Sequence, residues 1–189
     1  MELNARDYKA GKLLVAMPGM EDPRFARTII YICAHSPEGA MGLVINKSLE
    51  SMKLSDLLKQ LNIDPSKVDP RAKIHFGGPV DTGLGFILHS NDWRHESTMA
   101  VDNDIALTAT VDILQAIANG TGPSKALMAL GYAGWGPGQL DEEIKNNGWM
   151  VVDADDALIF DRDLGTKWLR AMNKIGVNPA HLSSSAGHA

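Results

Sequence analysis

The 189-residue sequence has few of the features that mark secreted or membrane-spanning proteins. It has one cysteine, Cys33, so an intramolecular disulfide cannot form. Its apolar runs fall far short of the roughly 18 residues that a membrane span needs. Residues 1–7 are polar, carry both charge signs and lack the apolar core of a secretory signal. We therefore expect a cytoplasmic protein that makes no membrane contact.

Clusters of basic residues are also missing. The 18 Lys and Arg residues are outnumbered by 23 Asp and Glu residues, which gives a formal net charge of -5. Affinity for nucleic acid comes mainly from clustered Lys and Arg side chains that neutralise phosphates. The sequence therefore argues against direct contact with nucleic acid, apart from a patch that folding would assemble from distant segments.

Common catalytic and metal-binding signatures do not occur either. The sequence contains no Gly-x-Ser-x-Gly elbow of a serine hydrolase. Cys33 lies in an apolar segment, which favours a buried structural thiol over a reactive thiolate. The densest group of potential metal ligands is His89, Asp92, His95 and Glu96, but this segment is typical of a loop and fixes no ligand geometry. We predict no metal site and no cofactor.

The hydrophobic pattern changes along the chain. Short β-branched segments and turns dominate the first half, whereas strands alternate with helices in the second. Predicted strands occupy residues 11–16, 28–33, 41–46, 73–76, 85–89, 126–133 and 149–152, with another near 98–101. Predicted helices occupy residues 55–61, 111–118, 139–146 and 166–175. The mixture indicates one α+β domain over residues 1–177 and a disordered tail at 178–189.

The glycine-rich turn after the predicted strand at 126–133 is the sharpest chemical lead. A strand, a glycine-rich turn and a helix start form the arrangement in which backbone N–H groups hold a phosphate. In this sequence, however, Gln139 stands where the dinucleotide-binding pattern has its last glycine, and Pro137 removes a donor. The acidic residues 141–143 would also repel a phosphate from the helix start. We interpret the turn as architectural, with Trp135 packed beside it.

Several segments, taken in series, carry a family resemblance. They are Leu-Leu-Val-Ala-Met-Pro at 13–18 with Asp22 and Phe25, Gly-Leu-Val-Ile-Asn-Lys at 42–47, Phe-Gly-Gly-Pro-Val at 76–80 followed by Gly-Phe-Ile-Leu-His at 85–89, and Gly-Tyr-Ala-Gly-Trp at 131–135 with Gln139, Leu140, Glu142, Glu143 and Trp149. Together they resemble the YqgE/AlgH family of small bacterial proteins over roughly residues 11–170.

The resemblance implies an α+β fold with a mixed, bifurcated β-sheet, part of which closes into a small barrel surrounded by helices. The family carries the label of a transcriptional regulator, but the residues of this chain include no DNA-reading motif. The resemblance also supplies no catalytic residues that could be transferred to this sequence.

The residues themselves indicate where a functional surface would lie. Gly and Pro permit close approach to the backbone, and Trp, His and Gln on loops supply contact groups. We predict a binding surface formed by Gly77, Gly78, Pro79, His89, Trp135, Gly136 and Gln139.

Three functional hypotheses are open, and the first two of them use this surface. The first is a non-enzymatic binding or regulatory protein whose partner is a protein or a neutral small molecule. The second is a nucleotide- or small-molecule-binding protein or an enzyme that uses the same residues, with His89 as an acid or base. The third is direct binding to DNA.

Overall fold

Ten strands and six α-helices make up residues 8–183, the part of the chain that the computed structural model describes. The strands are β1 (Lys12–Ala16), β2 (Ile29–Ser36), β3 (Gly39–Val44), β4 (Ser48–Lys53), β5 (Lys73–Phe76), β6 (Val80–Ser90), β7 (Met99–Ala100), β8 (Ile105–Thr108), β9 (Ala126–Trp135) and β10 (Trp149–Asp153). The helices are α1 (Leu54–Gln60), α2 (Val111–Asn119), α3 (Gln139–Lys145), α4 (Asp156–Phe160), α5 (Lys167–Lys174) and α6 (Pro179–Ser183).

The sheet branches at strand β9. Its main path runs β10-β1-β2-β3-β9-β6-β8-β7. Residues 128–130 of β9 pair in parallel with β5, whereas residues 133–135 pair antiparallel with β3. Strand β4 pairs with the other edge of β5. The curled sheet and its surrounding helices confirm the predicted α+β fold with a mixed, bifurcated and partly closed sheet.

Residues 13–16 of β1 and residues 29–33 of β2 are buried on both faces, and both stretches are unbroken apolar sequence. Leu13 and Tyr31 point into the core cluster that helix α5 covers. Leu14 and Ile30 point into the opposite cluster, which contains Leu140 of helix α3. Successive side chains of a strand alternate between the faces of a sheet, so a strand covered on both faces has no polar positions.

Two strands were not predicted because their sequences lack the usual signals. Strand β4 is mostly exposed and is registered with β5 at Ser48 and Lys53, with an irregularity between. Strand β8 has four residues, all buried, between polar segments. Strand β6 begins at Val80, five residues before the predicted strand at 85–89, so that boundary was wrong.

The chain end also differs from the sequence prediction. Helix α6 occupies part of the predicted disordered tail, and residues 184–189 of that tail lie outside the described residues. The helix begins with Pro179 directly after Asn178, whose side-chain oxygen accepts a hydrogen bond from the Ala180 N–H at 3.0 Å. An Asn cap followed by Pro is a helix-start signal that the composition of the tail obscured.

Three glycines allow the strands to meet at the branch of β9. Gly131 takes a left-handed conformation, with φ of 74°. The Gly77 N–H donates to the Leu130 carbonyl, and the Gly77 carbonyl accepts from the Val44 N–H, both at 2.8 Å. A Cβ atom on Gly77 would lie 2.2 Å from the Gly131 carbonyl oxygen, and one on Gly78 would lie 2.1 Å from the Tyr132 carbonyl carbon. Side chains at these positions would force the backbones apart.

A fully buried lysine anchors helix α5 beneath the sheet. The Lys167 Nζ donates to the carbonyls of Ile159 at 2.9 Å and Ile45 at 3.3 Å. The neighbouring Trp168 donates its indole N–H to the Ala16 carbonyl at 2.8 Å. Burial penalises the charged amine and lowers the pKa of Lys167 to about 8.

We expect Gly77→Ala to lower the free energy of unfolding by roughly 3 kcal/mol or more, because its methyl group would overlap backbone atoms that cannot rotate away. Gly83→Ala is the matched control, since a Cβ at Gly83 would meet nothing within 4 Å. Urea unfolding of both variants measures the difference. Equal stabilities would contradict the steric role assigned to Gly77.

We expect the wild-type protein to gain stability relative to Lys167→Met as pH rises from 8 to about 10.5. In this window the unfolded lysine keeps its proton while folded Lys167 has lost it, so the unfolded state binds more protons and the free energy of unfolding rises by about 1.4 kcal/mol per pH unit. Comparison with Lys167→Met cancels the opposing contribution of Cys33, whose pKa burial raises to about 12. Urea titrations across the window test this, and a constant difference would contradict it.

Candidate functional site

Two of the predicted contact residues, Gly77 and Gly78, are buried in the branch of the sheet. Their backbones do permit a close approach, but the group that approaches is strand β9 of the same chain. This is a correction to the predicted surface, because the space that a ligand would need is already filled. Pro79, the next residue, is partly exposed.

The structure does not bring His89 to the other predicted residues. His89 is fully buried and pairs with Ala126, at the opposite end of β9 from Trp135. A ten-residue strand is roughly 30 Å long at ~3.3 Å per residue. The His89 Nδ1 lies 2.8 Å from the Ser90 carbonyl and its Nε2 lies 2.8 Å from the Thr108 hydroxyl. Since both ring nitrogens have partners and burial lowers the pKa of His89, we assign it a structural role.

The remaining predicted residues do assemble around one recess. Pro79, Trp135 and Gln139 line a cleft of about 410 Å³, and Gly136 lies at its edge. The cleft lies between the β1–β2 loop, the end of β9, helix α3 and the start of β10. We call it the aromatic cleft, after three of its lining residues, Phe25, Trp135 and Trp149.

A carboxylate that was not among the predicted site residues organises the aromatic cleft. The Glu143 Oε2 accepts the indole N–H of Trp135 at 2.7 Å and that of Trp149 at 3.0 Å. Its Oε1 accepts from the Gln139 side-chain amide at 3.1 Å, and the Gln139 oxygen accepts the Gly136 N–H at 3.0 Å. The spacing of Gln139 and Glu143, one helical turn apart, was the available signal for this contact. This series of hydrogen bonds, from the Gly136 N–H through Gln139 to Glu143, holds both indoles in fixed positions.

The β1–β2 loop closes the other side of the cleft. Asp22 binds Arg24 through its side chain, with an Nη2 to Oδ2 distance of 2.7 Å, and also accepts the Arg24 backbone N–H. These hydrogen bonds from Arg24 hold the pKa of Asp22 below its usual value. The Phe25 ring packs edge-on against Trp149 with centroids 5.8 Å apart, and Lys47 Nζ donates to the Arg24 carbonyl.

The glycine-rich turn before α3 has the architectural features that its sequence predicts. Trp135 is 8% exposed and packs against Trp149 with ring centroids 6.2 Å apart. The Gly136 N–H, one of the donors that a phosphate would require, is already bonded to Gln139. Asp141 and Glu142 occupy the first turn of α3. The turn therefore presents occupied donors and negative charge.

An open groove adjoins the aromatic cleft, and Trp135 and Val80 line both. The groove has a volume of about 740 Å³ and exposes apolar side chains, including Val80 at 36% and Leu84 at 45% exposure. Its charged lining residues are Glu38 and Asp81. We refer to the groove and the aromatic cleft together as the acidic recess.

The four potential metal ligands considered in the sequence are dispersed in the structure. His89 is buried in β6, Asp92 accepts from Ser90, and His95 stacks on Trp93 with ring centroids 6.1 Å apart. Within residues 8–183, His, Cys, Asp and Glu side chains form no group of three or more that could hold a metal ion. Among the helices of that same range, none has the length and apolar character that a membrane crossing requires.

Two solved structures share this architecture. The solution structure of the AlgH protein from Pseudomonas aeruginosa matches over 100% of both chains, with 40% sequence identity and a TM-score of 0.79. A crystal structure of a Corynebacterium diphtheriae protein matches 88% of this chain and 86% of its own, with 23% identity and a TM-score of 0.72. At that identity the second likeness concerns the fold alone.

Sequence comparison gives the same result. A UPF0301 protein of Rhodospirillum rubrum is 53% identical over 182 residues, which cover 96% of this chain and 95% of the relative. A UPF0301 protein of Cereibacter sphaeroides is 51% identical over 95% of this chain and 98% of the relative. The AlgH-like family matches residues 13–180. These matches confirm the resemblance seen in the sequence, and the chain belongs to the AlgH-like family.

Proposed function

We propose that this chain is a non-enzymatic binding protein whose acidic recess holds an extended segment of a partner protein, one that is apolar and carries Lys or Arg. The charge of the recess carries the proposal. Four carboxylates line it, those of Asp22, Glu38, Asp81 and Glu143, against one guanidinium, that of Arg24. A cationic segment complements this charge, whereas phosphate-bearing ligands are repelled.

The apolar lining supports a peptide over a small polar ligand. Val80 and Leu84 present exposed aliphatic surface beside the partly buried Met41 and Tyr132. Apolar side chains grouped around a concave surface are typical of a protein-binding site. Groove and cleft adjoin at Val80 and Trp135, so an extended segment that lies across this junction would contact both.

The chemistry of the aromatic cleft supports binding over catalysis. Its titratable lining groups are Asp22, Arg24 and Glu143. Asp22 and Arg24 are paired with each other, and Glu143 accepts three hydrogen bonds. Most of the hydrogen-bonding capacity of these carboxylates is already used by donors of the same chain, so the groups suit contact and orientation better than proton abstraction. Regulation would then follow from control of access to the bound segment.

A peptide-display selection against the wild-type protein tests this proposal. We expect enriched peptides to combine apolar residues with Lys or Arg, and their affinity to fall as salt concentration rises. We expect Leu84→Arg to weaken a labelled enriched peptide by about tenfold or more, because it adds positive charge and bulk to the groove. Fluorescence anisotropy measures the affinity.

Val111→Arg is the matched control. Val111 is 50% exposed and apolar like Leu84, but it lies on helix α2 and outside the lining of the recess. Both variants replace an exposed apolar side chain, and thermal unfolding checks that each remains folded. Enrichment of neutral or acidic peptides, or equal affinity for the two variants, would overturn the proposal.

A further inference from the structure

A second recess, of about 310 Å³, lies on the other branch of the sheet. It is formed by strands β5, β6 and β9 with helices α1 and α2 and residues 160–164. Its wall is largely apolar. The apolar lining includes Leu54, Ile87, Leu114, Ile117, Met128 and Phe160. We call this space the basic cavity because of the charges at its rim, and its lining shares no residue with the acidic recess.

Cations predominate among the charged lining residues of the basic cavity. Lys67, Arg71, Lys73 and Arg162 outnumber Asp69 and Asp161. Asp69 is shared between two of these cations, with Oδ2 2.6 Å from Arg162 Nη1 and Oδ1 3.2 Å from Arg71 Nε. Asp161 is paired with Arg170. The rim therefore keeps a surplus of positive charge on a chain whose formal net charge is -5.

One buried polar side chain in the cavity wall keeps an acceptor without a protein partner. His75 is 9% exposed, and its Nδ1 lies 3.1 Å from the Met128 carbonyl. A carbonyl oxygen accepts hydrogen bonds, so Nδ1 carries the proton and Nε2 carries the lone pair. Among residues 8–183 no group hydrogen-bonds to this Nε2, which is not fully shielded from solvent and can therefore be reached by water or by a ligand in the cavity.

The neutral form of His75 is stabilised by its surroundings. Burial lowers its pKa to about 4, and the positive charge of Lys167 adds to the effect. The imidazole is therefore uncharged at neutral pH, and its Nε2 can accept a hydrogen bond but cannot donate one. A ligand that fills the cavity must satisfy this acceptor with an N–H or O–H group, or leave it unpaired at a cost.

We propose that the basic cavity binds a small organic anion that has an apolar body and a hydroxyl or amide donor. The anionic group lies beside Lys67, which has no ion-pair partner among residues 8–183. Lys73, Arg71 and Arg162 add positive charge nearby, although Lys73 lies 3.7 Å from Glu50 and the two arginines share Asp69. The body replaces water along the apolar wall. The donor pairs with His75 Nε2. The anion, the apolar body and the donor of the ligand thus match the cationic rim, the apolar wall and His75 Nε2 of the cavity, respectively.

Three matched probes test these features one at a time. The probe 8-hydroxyoctanoate has the anion, the apolar chain and the donor; octanoate lacks the donor; 8-hydroxyoctanamide lacks the charge. We expect the first to bind roughly three- to tenfold more tightly than each of the others, which is the usual net effect of one hydrogen bond or one partly exposed ion pair. Calorimetry measures the affinities, and the ¹⁵N resonance of His75 Nε2 reports contact with the hydroxylated probes.

Variants connect each preference to its residue. His75→Asn keeps a donor for the Met128 carbonyl but removes the Nε2 acceptor, and we expect it to bind octanoate and 8-hydroxyoctanoate equally. The double variant Lys73→Gln with Arg162→Gln removes two of the four cations and should lower the preference for 8-hydroxyoctanoate over its amide. Both preferences are ratios of affinities within one variant, so a change in the folded fraction cancels.

Arg94→Gln, an exposed charge outside the cavity lining, should keep both preferences. Absence of 8-hydroxyoctanoate binding up to its solubility limit would overturn the proposal, as would equal wild-type affinities for the three probes. Affinity ratios that stay unchanged in His75→Asn and in the double variant would also overturn it, because the probe would then bind elsewhere. Since the two recesses share no lining residue, Leu84→Arg should leave probe binding unchanged, and failure here does not bear on the peptide proposal.

Discussion

The branching of strand β9 is the constraint on which the rest of the structure depends. A strand edge normally serves one neighbour, but one edge of β9 serves β5 over residues 128–130 and β3 over residues 133–135. The change of partner requires a bend, which the left-handed Gly131 provides, and a backbone that fills the fork. Gly77 fills it by bonding to Leu130 on one side and Val44 on the other. Because each approach is made by backbone alone, only glycine fits, and the two glycine-rich segments of the sequence are explained by one junction.

The branch also separates two chemically different surfaces. Beyond Gly131, strand β9 places Tyr132 and Trp135 in the acidic recess, whose lining includes four carboxylates. Before Gly131, it supplies the Met128 carbonyl that fixes the His75 ring at the basic cavity. The net charge of -5 therefore hides a local difference, because acids predominate in the lining of the acidic recess and cations in the lining of the basic cavity. The net charge of the whole chain argues against anion binding. One branch nevertheless has a cationic rim, which is built from residues 67–73 and Arg162, far apart in sequence.

The fold was predictable where local sequence determines structure. Strands such as β2 are apolar at every buried position, helix α2 ends at a glycine, and the family resemblance supplied the branch itself. The site was less predictable because its contacts depend on distances between segments. His89 was read as a contact residue at a strand end, but the partner that removes it, Thr108, belongs to the unpredicted strand β8. Glu143 was read as part of a repulsive helix start, although its carboxylate binds two indoles that are brought to it by different strands. Neither the His89–Thr108 contact nor the two indole contacts of Glu143 can be recognised from the spacing of residues along the chain. Only the Gln139–Glu143 contact, one helical turn apart, has such a signal.

Three buried ionisable side chains show how a structural role differs from a functional one. His89 has hydrogen-bond partners for both ring nitrogens, so the side chain needs no ligand or water to complete its hydrogen bonding. Lys167 donates to two backbone carbonyls, and its pKa is lowered because the amine is buried beneath the sheet. His75 has one backbone partner and one acceptor that faces no protein donor among the described residues. This Nε2 is open to solvent in the wall of the basic cavity, so water or a ligand can complete its hydrogen bonding. Burial alone therefore does not distinguish a structural histidine from a functional one. The distinction lies in whether a ring nitrogen is left without a hydrogen-bond partner from the protein.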